Sequence, residues 1–217
     1  MIGLLGRKVG MTQVFSEKGD CIPVTVLQMG ECRTVEVKTV DKHGYNAIQL
    51  GFDEIRKKDK KKVQKPIMGH FKKADLKPMK ILREFRLDDV EGFNPGKKVT
   101  VDIFEDGEKV IVGSVSKGRG FAGVFKRHGF GGQSATRGTH EQFRHGGSIG
   151  NHTEPARVVK GRKMAGHMGN KRVTMLNQRI FKVLKEENVI LLVGGVPGPN
   201  GGVVEIIKSN RHAAKKN

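Results

Sequence analysis

The chain has 217 residues with 41 Lys and Arg against 22 Asp and Glu, so its formal net charge of +19 at pH 7 predicts a polyanionic partner. An apolar fraction of 36% can build a core, and the longest apolar stretch, residues 189–196, is far shorter than the ~20 residues of a membrane span. With no tryptophan and one tyrosine, few aromatic side chains remain for a small-molecule pocket. We therefore expect no membrane contact, no signal peptide and no small-molecule substrate.

The first half of the chain alternates apolar and polar residues in short runs, a pattern typical of half-buried strands. These runs cover residues 9–15, 22–28, 34–40 and 46–52, with turn-forming segments at 17–20 and 41–44, and they predict an antiparallel meander. Further strands are expected at 81–87, 98–104, 109–115, 173–184, 189–193 and 203–207, and a short helix at 70–75. So many short strands predict a closed barrel.

The two cysteines fall on the second and third of these runs. If the runs form one hairpin that turns at Met29 and Gly30, Cys21 lies opposite Lys38 and Cys32 opposite Leu27. The two thiols would then not face each other. We expect two reduced, buried, structural cysteines in a cytosolic protein.

A charge run interrupts the strand pattern between residues 53 and 80. It covers residues 56–62, of which six are Lys or Arg and one is Asp59. Such a run is either a solvated face or a surface that contacts phosphate, and the sequence leaves both interpretations open.

The middle of the chain carries most of the excess charge. Residues 114–172 contain 12 basic residues and two acidic ones, Glu141 and Glu154, together with five of the eight histidines and 13 of the 30 glycines. Residues 117–172 show neither helical nor strand periodicity and are too long for an ordinary connection. They have too little apolar surface for a core of their own, so we expect a partner to organise them.

Basic side chains recur every few residues in this segment, and they suit phosphate oxygens and base edges. The twelve cationic side chains predicted to bind a polyanion are Lys117, Arg119, Lys126, Arg127, Arg137, Arg144, Arg157, Lys160, Arg162, Lys163, Lys171 and Arg172. Four phenylalanines, Phe121, Phe125, Phe130 and Phe143, lie between them. Each of these rings can stack on an unpaired base or anchor the segment to the protein, and the spacing does not separate the two roles.

Four patterns that suggest other chemistry fail on their context. Residues 118–123 match the dinucleotide-binding glycine pattern, but no apolar helix follows them. The glycine run 194–202 lacks the Lys followed by Ser or Thr of a phosphate loop and predicts a tight turn. The histidines lack metal-ligand spacing, and Ser148, His145 and Glu154 lack the surroundings of a hydrolytic nucleophile. We expect no enzyme, no cofactor and no metal.

Five segments, taken in order, resemble one known family over essentially the full length of the chain. They read GLLGRKVGMT at 3–12, SKGRGFAG at 116–123, HGGSIG at 145–150, KGRKMAGHMG at 160–169 and GVPGPNGG at 195–202. The chain is similar to the bacterial ribosomal protein L-three family of the large subunit.

This resemblance implies a mainly β fold: a six-stranded translation-protein-type β-barrel with a small inserted α+β subdomain and a long irregular basic arm. It also implies binding to 23S rRNA near its 3′ end, an early role in subunit assembly, an arm that reaches toward the peptidyl transferase centre, and large-subunit proteins fourteen and nineteen as neighbours. With His145 added to the twelve cationic side chains, the resemblance gives thirteen predicted rRNA-binding residues. Arg144 and His145, near the expected tip of the arm, are our candidates for influence on the peptidyl transferase centre. A general nucleic-acid-binding or compacting protein is the alternative.

Two residues depart from the family pattern. Some bacterial members have a methylated glutamine where this chain has Asn151, and the family commonly has glycine where this chain has Ala156. We assign residues 1–116 and 173–209 to the barrel body, with about 53–98 as the inserted subdomain. Residues 117–172 are assigned to the RNA-penetrating arm and 210–217 to a basic tail.

Overall fold

The computed structural model describes residues 1–56, 59 and 63–209. The basic tail and most of the charge run at 56–62 lie outside these residues. The chain divides into two compact units, one formed by residues 1–115 together with the segment from 172 onward, and one formed by residues 116–171. We call the first unit the body and the second the arm.

Six antiparallel strands of the body close into a barrel in the order β1-β12-β7-β10-β11-β2. They are β1 (Gly3–Phe15), β2 (Cys21–Met29), β7 (Lys109–Val115), β10 (Arg172–Leu184), β11 (Val189–Val193) and β12 (Val203–Lys208). The prediction of a mainly β chain with a closed barrel is confirmed. A barrel leaves no long unpaired sheet edge, which lets so many short strands stay soluble.

A second sheet in the body has the order β5-β4-β3-β6. Its strands are β3 (Cys32–Lys38), β4 (Ala47–Glu54), β5 (Met79–Arg86) and β6 (Lys98–Val99), and two helices, α1 (Val40–His43) and α2 (Lys65–Lys73), accompany it. The sheet draws on residues from 32 to 99, so the interval 53–98 covers only part of it. The predicted meander is wrong beyond β2, because β3 and β4 belong to this second sheet.

Both sheets share one hydrophobic core. The barrel contributes Leu27, Val112 and Ile190, and the second sheet contributes Ile48 and Phe85, all of them buried in the same cluster. Each such side chain stabilises the fold by about 1.5–3 kcal/mol when it is fully buried. This common core explains why the second sheet, although it interrupts the barrel sequence, folds as part of the same unit.

The hairpin predicted between the second and third runs does not form. Strand β2 pairs with β1 and β11, whereas β3 pairs with β4 and β6. At Gly30, between the two strands, an added Cβ would lie 2.1 Å from the Phe52 ring, so the chain passes the core there where only glycine fits. Long-range pairing and packing therefore override the local turn signal.

The prediction of two buried cysteines is wrong for one of them, since Cys21 is exposed and Cys32 is fully buried. The Leu5 backbone N–H donates to Cys32 Sγ at 3.4 Å. Burial raises the pKa of the Cys32 thiol to about 11, and the bond to Leu5 opposes this shift only in part.

Labelling with a thiol reagent at pH 8 is expected to modify Cys21 alone in the folded protein and both cysteines after unfolding. The unfolded Cys32 thiol ionises near pH 8.5, whereas the folded one ionises near pH 11, so this residue reduces stability as pH rises between these values. Counting labelled thiols by mass before and after denaturant checks the prediction. Two labels in the folded state would contradict it.

One predicted strand is shorter than expected. Residues 98–104 were predicted as a strand, but β6 ends at Val99 and a 3₁₀ helix covers Val101–Ile103. Val101 and Phe104 are buried in the core, so the turn brings both apolar side chains inward where a strand would place them on opposite faces.

Among the described residues, no helix is long and apolar enough to cross a membrane.

Candidate nucleic-acid interface

The arm begins and ends with a narrow two-stranded ribbon. The Ser116 N–H donates to the Lys171 carbonyl at 2.9 Å, the Arg119 N–H donates to Met168 at 2.9 Å, and Met168 donates back to Gly120 at 2.9 Å. The ribbon continues as β8 (Phe121–Ala122) paired with β9 (Gly166–His167). These short strands were not predicted, because two residues are too few to show a period of two.

A glycine makes the close approach of the two ribbon legs feasible. Gly169 has φ +74°, and a Cβ built there would lie 2.3 Å from the Lys117 carbonyl oxygen and 3.0 Å from the Arg119 nitrogen. Both the left-handed backbone and the lack of space exclude a larger residue. The motif that ends in Gly169 therefore has a structural reason that is independent of any ligand.

A short helix, α3 (Val124–His128), follows the ribbon and is tied to the returning leg. The Arg127 guanidinium donates to the Met164 carbonyl at 2.7 Å, and His128 Nε2 lies 3.0 Å from the same oxygen. These contacts join the two legs beyond the ribbon. Among the predicted RNA-binding residues, Arg127 is thus partly used within the protein.

Two of the four arm phenylalanines are half-buried within the arm. The Arg144 guanidinium carbon lies 4.7 Å from the centre of the Phe125 ring, and the Phe130 ring lies 6.1 Å from that of His128. Phe143 is 42% exposed, and Phe121 is 80% exposed. The structure therefore favours an anchoring role for Phe125 and Phe130 and leaves the Phe121 ring open.

Twelve of the thirteen predicted RNA-binding side chains are exposed, and Arg127 is half-buried. Of these thirteen residues, eight have Lys or Arg side chains that make no hydrogen bond, ion pair or ring contact with the described part of the chain. They are Lys117, Arg119, Lys126, Arg137, Arg157, Lys160, Lys163 and Lys171. Four others are engaged. Arg127 and Arg144 make the contacts given above, Arg162 donates to the Ser148 carbonyl, and Arg172 pairs with Glu205.

Cations of the body, in contrast, are often paired with carboxylates. Asp53 binds both Arg7, at 2.6 Å, and Lys80, at 3.1 Å. The Lys38 ammonium lies 2.5 Å from Glu84, whose carboxylate raises the pKa of Lys38 to about 12. No ion pair between described residues involves residues 116–171. The charge of the arm is therefore not compensated by ion pairs with the residues that the structure describes.

Arg172 begins β10, where the chain returns to the barrel, and its guanidinium donates to the Glu205 carboxylate. Glu205 is 8% exposed and also accepts a bond of 2.6 Å from Arg83 of β5. The buried Glu205 carboxylate on β12 thus binds one arginine of the barrel, Arg172, and one of the second sheet, Arg83. This interaction places Arg172 in a structural role within the body.

The first and last of the five motif segments, residues 3–12 and 195–202, contact each other on the barrel. Lys8 of β1 is 7% exposed, and its ammonium donates to the Val196 carbonyl at 2.7 Å and to Gly198 at 3.5 Å. The backbone of Lys8 also bonds Gly201 and Gly202, at 2.6 and 3.0 Å. The loop 194–202 is therefore a tight connection between β11 and β12, as predicted. Its Val196 and Gly198 carbonyls bind the buried Lys8 ammonium, whereas a nucleotide phosphate loop would bind its ligand.

The comparisons with known proteins agree with this architecture. A family model described as ribosomal protein L3 matches residues 84–189. The large ribosomal subunit protein uL3 of Thermosipho africanus is 50% identical over 96% of this chain and 98% of its own length. The protein of the same name from Herpetosiphon aurantiacus is 50% identical over 99% of both chains, and that of Corynebacterium efficiens is 46% identical over 97% of both.

The chain belongs to the uL3 family of ribosomal proteins. Membership in this family makes it a structural constituent of the large ribosomal subunit, located in the cytoplasm as part of the ribosome, and not an enzyme. The resemblance read from the five sequence segments is thereby confirmed.

Local geometry in this uL3 chain bears on the patterns that suggested other chemistry. The Ser148 hydroxyl donates to the Gly150 carbonyl at 2.8 Å and not to His145, which would be its base in a hydrolase. In the part of the chain that the structure describes, no three His, Cys, Asp or Glu side chains gather as metal ligands.

Ala156 has φ 55°. This value lies in the left-handed region that favours glycine, which is the residue that the family resemblance leads us to expect at this position.

Proposed function

We propose that the arm of this uL3 protein, with Arg172 at its return to the barrel, binds 23S rRNA through its phosphates. One observation carries the proposal: eight exposed Lys and Arg side chains without a protein partner lie in a unit that contains no described ion pair. Cations that a fold leaves uncompensated repel one another unless a polyanion neutralises them. Binding releases the counterions of the RNA, which favours association at low salt.

The remaining predicted residues fit the same proposal in different roles. Arg127, Arg144 and Arg162 fix the course of the arm through the contacts described above, while their charge stays near the surface. His145 is exposed beside Arg144 and adds a hydrogen-bonding ring. Arg172 pairs with Glu205 within the body and contributes its exposed face to RNA.

The finer parts of the proposal rest on the family resemblance. We propose that the barrel body docks on 23S rRNA near its 3′ end and nucleates subunit assembly. The segment proposed from the sequence to penetrate the RNA, residues 117–172, then extends toward the peptidyl transferase centre, and large-subunit proteins fourteen and nineteen lie beside the body. The proposed barrel domain at 1–116 and 173–209 is followed by the basic tail at 210–217, which adds to the positive charge.

Neutralising three arm cations, in the variant Lys160→Gln, Lys163→Gln and Lys171→Gln, is expected to make the salt dependence of 23S rRNA binding shallower. If eight phosphates are contacted, log affinity falls against log salt with a slope of roughly −6 to −7. Removing three contacts changes that slope by about 2 to 3. Filter binding or fluorescence anisotropy over a range of KCl concentrations measures it.

The matched control neutralises three exposed body lysines, Lys18→Gln, Lys42→Gln and Lys65→Gln, and so removes the same charge from the other unit. Its slope is expected to stay near that of the unchanged protein. Equal effects of the two variants would assign binding to net charge alone. If the unchanged protein bound duplex DNA and 23S rRNA with equal affinity, the alternative of a general nucleic-acid-binding protein would be supported. In a footprinting experiment on 23S rRNA, protected nucleotides far from its 3′ end would contradict the proposed site.

A further inference from the structure

Two aromatic residues lie opposite each other on the ribbon at the base of the arm. In the register of β8 and β9, Phe121 is directly opposite His167. Directly opposite residues of an antiparallel pair project from the same face, with Cβ atoms about 5 Å apart. Both side chains are exposed, Phe121 to 80%, and neither makes a ring contact, hydrogen bond or ion pair within the described residues.

The charged side chains of the ribbon that carries this pair are all cationic. Lys117, Arg119 and Lys171 lie on the two legs of the same ribbon, and their side chains are exposed and unpartnered. The stretches 116–123 and 163–171 contain no Asp or Glu. An apolar face without carboxylates and with several free cations complements a nucleic acid far better than an apolar protein surface.

The ribbon also fixes the backbone that carries the two rings. Backbone bonds of 2.9 Å join Ser116 to Lys171 and Arg119 to Met168, and Gly169 allows the legs to approach closely. Ala122, next to Phe121, is buried. Because the fold already orders this backbone, a stacking base has to order only the side-chain torsions of the ring, which keeps the entropy cost of the contact small.

We propose that Phe121 and His167 form a stacking platform for an unpaired base of the RNA that the arm binds. Phe and His rings are among the side chains on which splayed bases of single-stranded RNA stack. Arg119 and Lys117 bind the phosphates that flank this base. The proposal rests on the proposed function, and it assigns to one place in the arm a recognition of unpaired nucleotides that phosphate contacts alone do not provide.

The other arm phenylalanines do not offer the same site. Phe125 has the Arg144 guanidinium over its ring, and Phe130 lies beside His128. Both are half-buried, and neither they nor Phe143, which is 42% exposed, lies in a described strand pair. Phe121 is therefore the ring of the arm that is both open and paired with a second aromatic side chain.

Phe121→Ala is expected to lower the affinity of the full chain for 23S rRNA by about 5- to 150-fold at fixed salt, the range measured for loss of one base–aromatic stack. The slope of log affinity against log salt stays unchanged, because stacking releases no counterions. Phe121→Tyr keeps the affinity, since it keeps the ring. His167→Ala lowers the affinity in the same direction.

The matched control is Phe15→Ala, which removes a phenylalanine that is 64% exposed on the body. It is expected to leave RNA binding unchanged. If the unchanged protein binds the RNA and Phe121→Ala binds equally well, the stacking platform is refuted while the proposed function stands. If the unchanged protein shows no binding to 23S rRNA, the proposed function itself fails.

A direct readout follows from the absence of tryptophan in the chain. Phe121→Trp introduces a single indole at the platform, whose fluorescence is expected to fall when a 23S rRNA transcript binds. A fully paired RNA duplex is expected to bind without this change, because its bases are not free to stack. Phe15→Trp reports general effects of RNA on the protein, and equal quenching of both indoles would overturn the proposal.

Discussion

Replacing residues 124–165 with a short Gly-Ser linker is expected to lower the affinity for 23S rRNA by about 10³-fold or more at physiological salt. The replaced segment contains five of the eight unpartnered cations, and each phosphate contact contributes a counterion-release term. The slope of log affinity against log salt falls from roughly −6 to −7 to roughly −2 to −3, the value for the three ribbon cations that remain. Titrations at two or more salt concentrations give both quantities.

The body provides the internal control for this variant. Its barrel, its second sheet and their common core lie outside the replaced residues, so the melting temperature is expected to change little. Loss of the preference for rRNA over duplex DNA would make the arm the element that reads the RNA. Retention of that preference would place specificity in the body, and an unchanged salt slope would contradict a phosphate-binding arm.

Lys8→Met is expected to lower the free energy of unfolding by about 2–4 kcal/mol, a large part of the 5–15 kcal/mol typical of a domain. The substitution keeps the length of the side chain but removes the ammonium that donates to Val196 and Gly198. Their carbonyls then lose a charge-assisted partner in a site where Lys8 is 7% exposed. Replacing a buried charge with an apolar group is often neutral, but only when its polar partners are removed as well.

Urea denaturation followed by circular dichroism measures this change. Lys18→Met is the matched control, because Lys18 is exposed near the turn after β1 and is expected to change stability by less than about 0.5 kcal/mol. Equal midpoints for the two variants would show that the buried lysine is not required to hold the loop 194–202. The same experiment measures how strongly β1 and the loop 194–202 stabilise each other.

Strands with an alternating or continuous apolar pattern could be predicted from the sequence to within a few residues. The run 109–115 is β7, 189–193 is β11, and 173–184 is nearly the whole of β10. Each alternates or concentrates apolar side chains that the shared core then buries, so the local pattern and the tertiary packing agree. The cationic arm was predictable for a related reason, since its charge and glycine content leave too little apolar surface for a core.

Prediction failed where distant residues decide the conformation. The hairpin between residues 22 and 40 satisfied local rules, yet β2 and β3 found their partners in different sheets. The segment 98–104 has apolar residues at strand-like spacing, yet the core takes Val101 and Phe104 from a turn. In both cases several buried contacts outweigh a local preference of about 1 kcal/mol or less.

The sequence by itself determined the strand-rich body, the segment that carries the excess charge and, through five motifs, the family. These properties follow from the composition of each segment and from the order of residues that are close together in the chain. Only the tertiary structure decided that Arg172 is held by Glu205, that Lys8 is buried beneath the loop 194–202, and that Phe121 stands open beside His167. Such facts depend on which distant backbone segments pair and on which side chains the core has room to bury, and both are settled by the free energy of the whole fold.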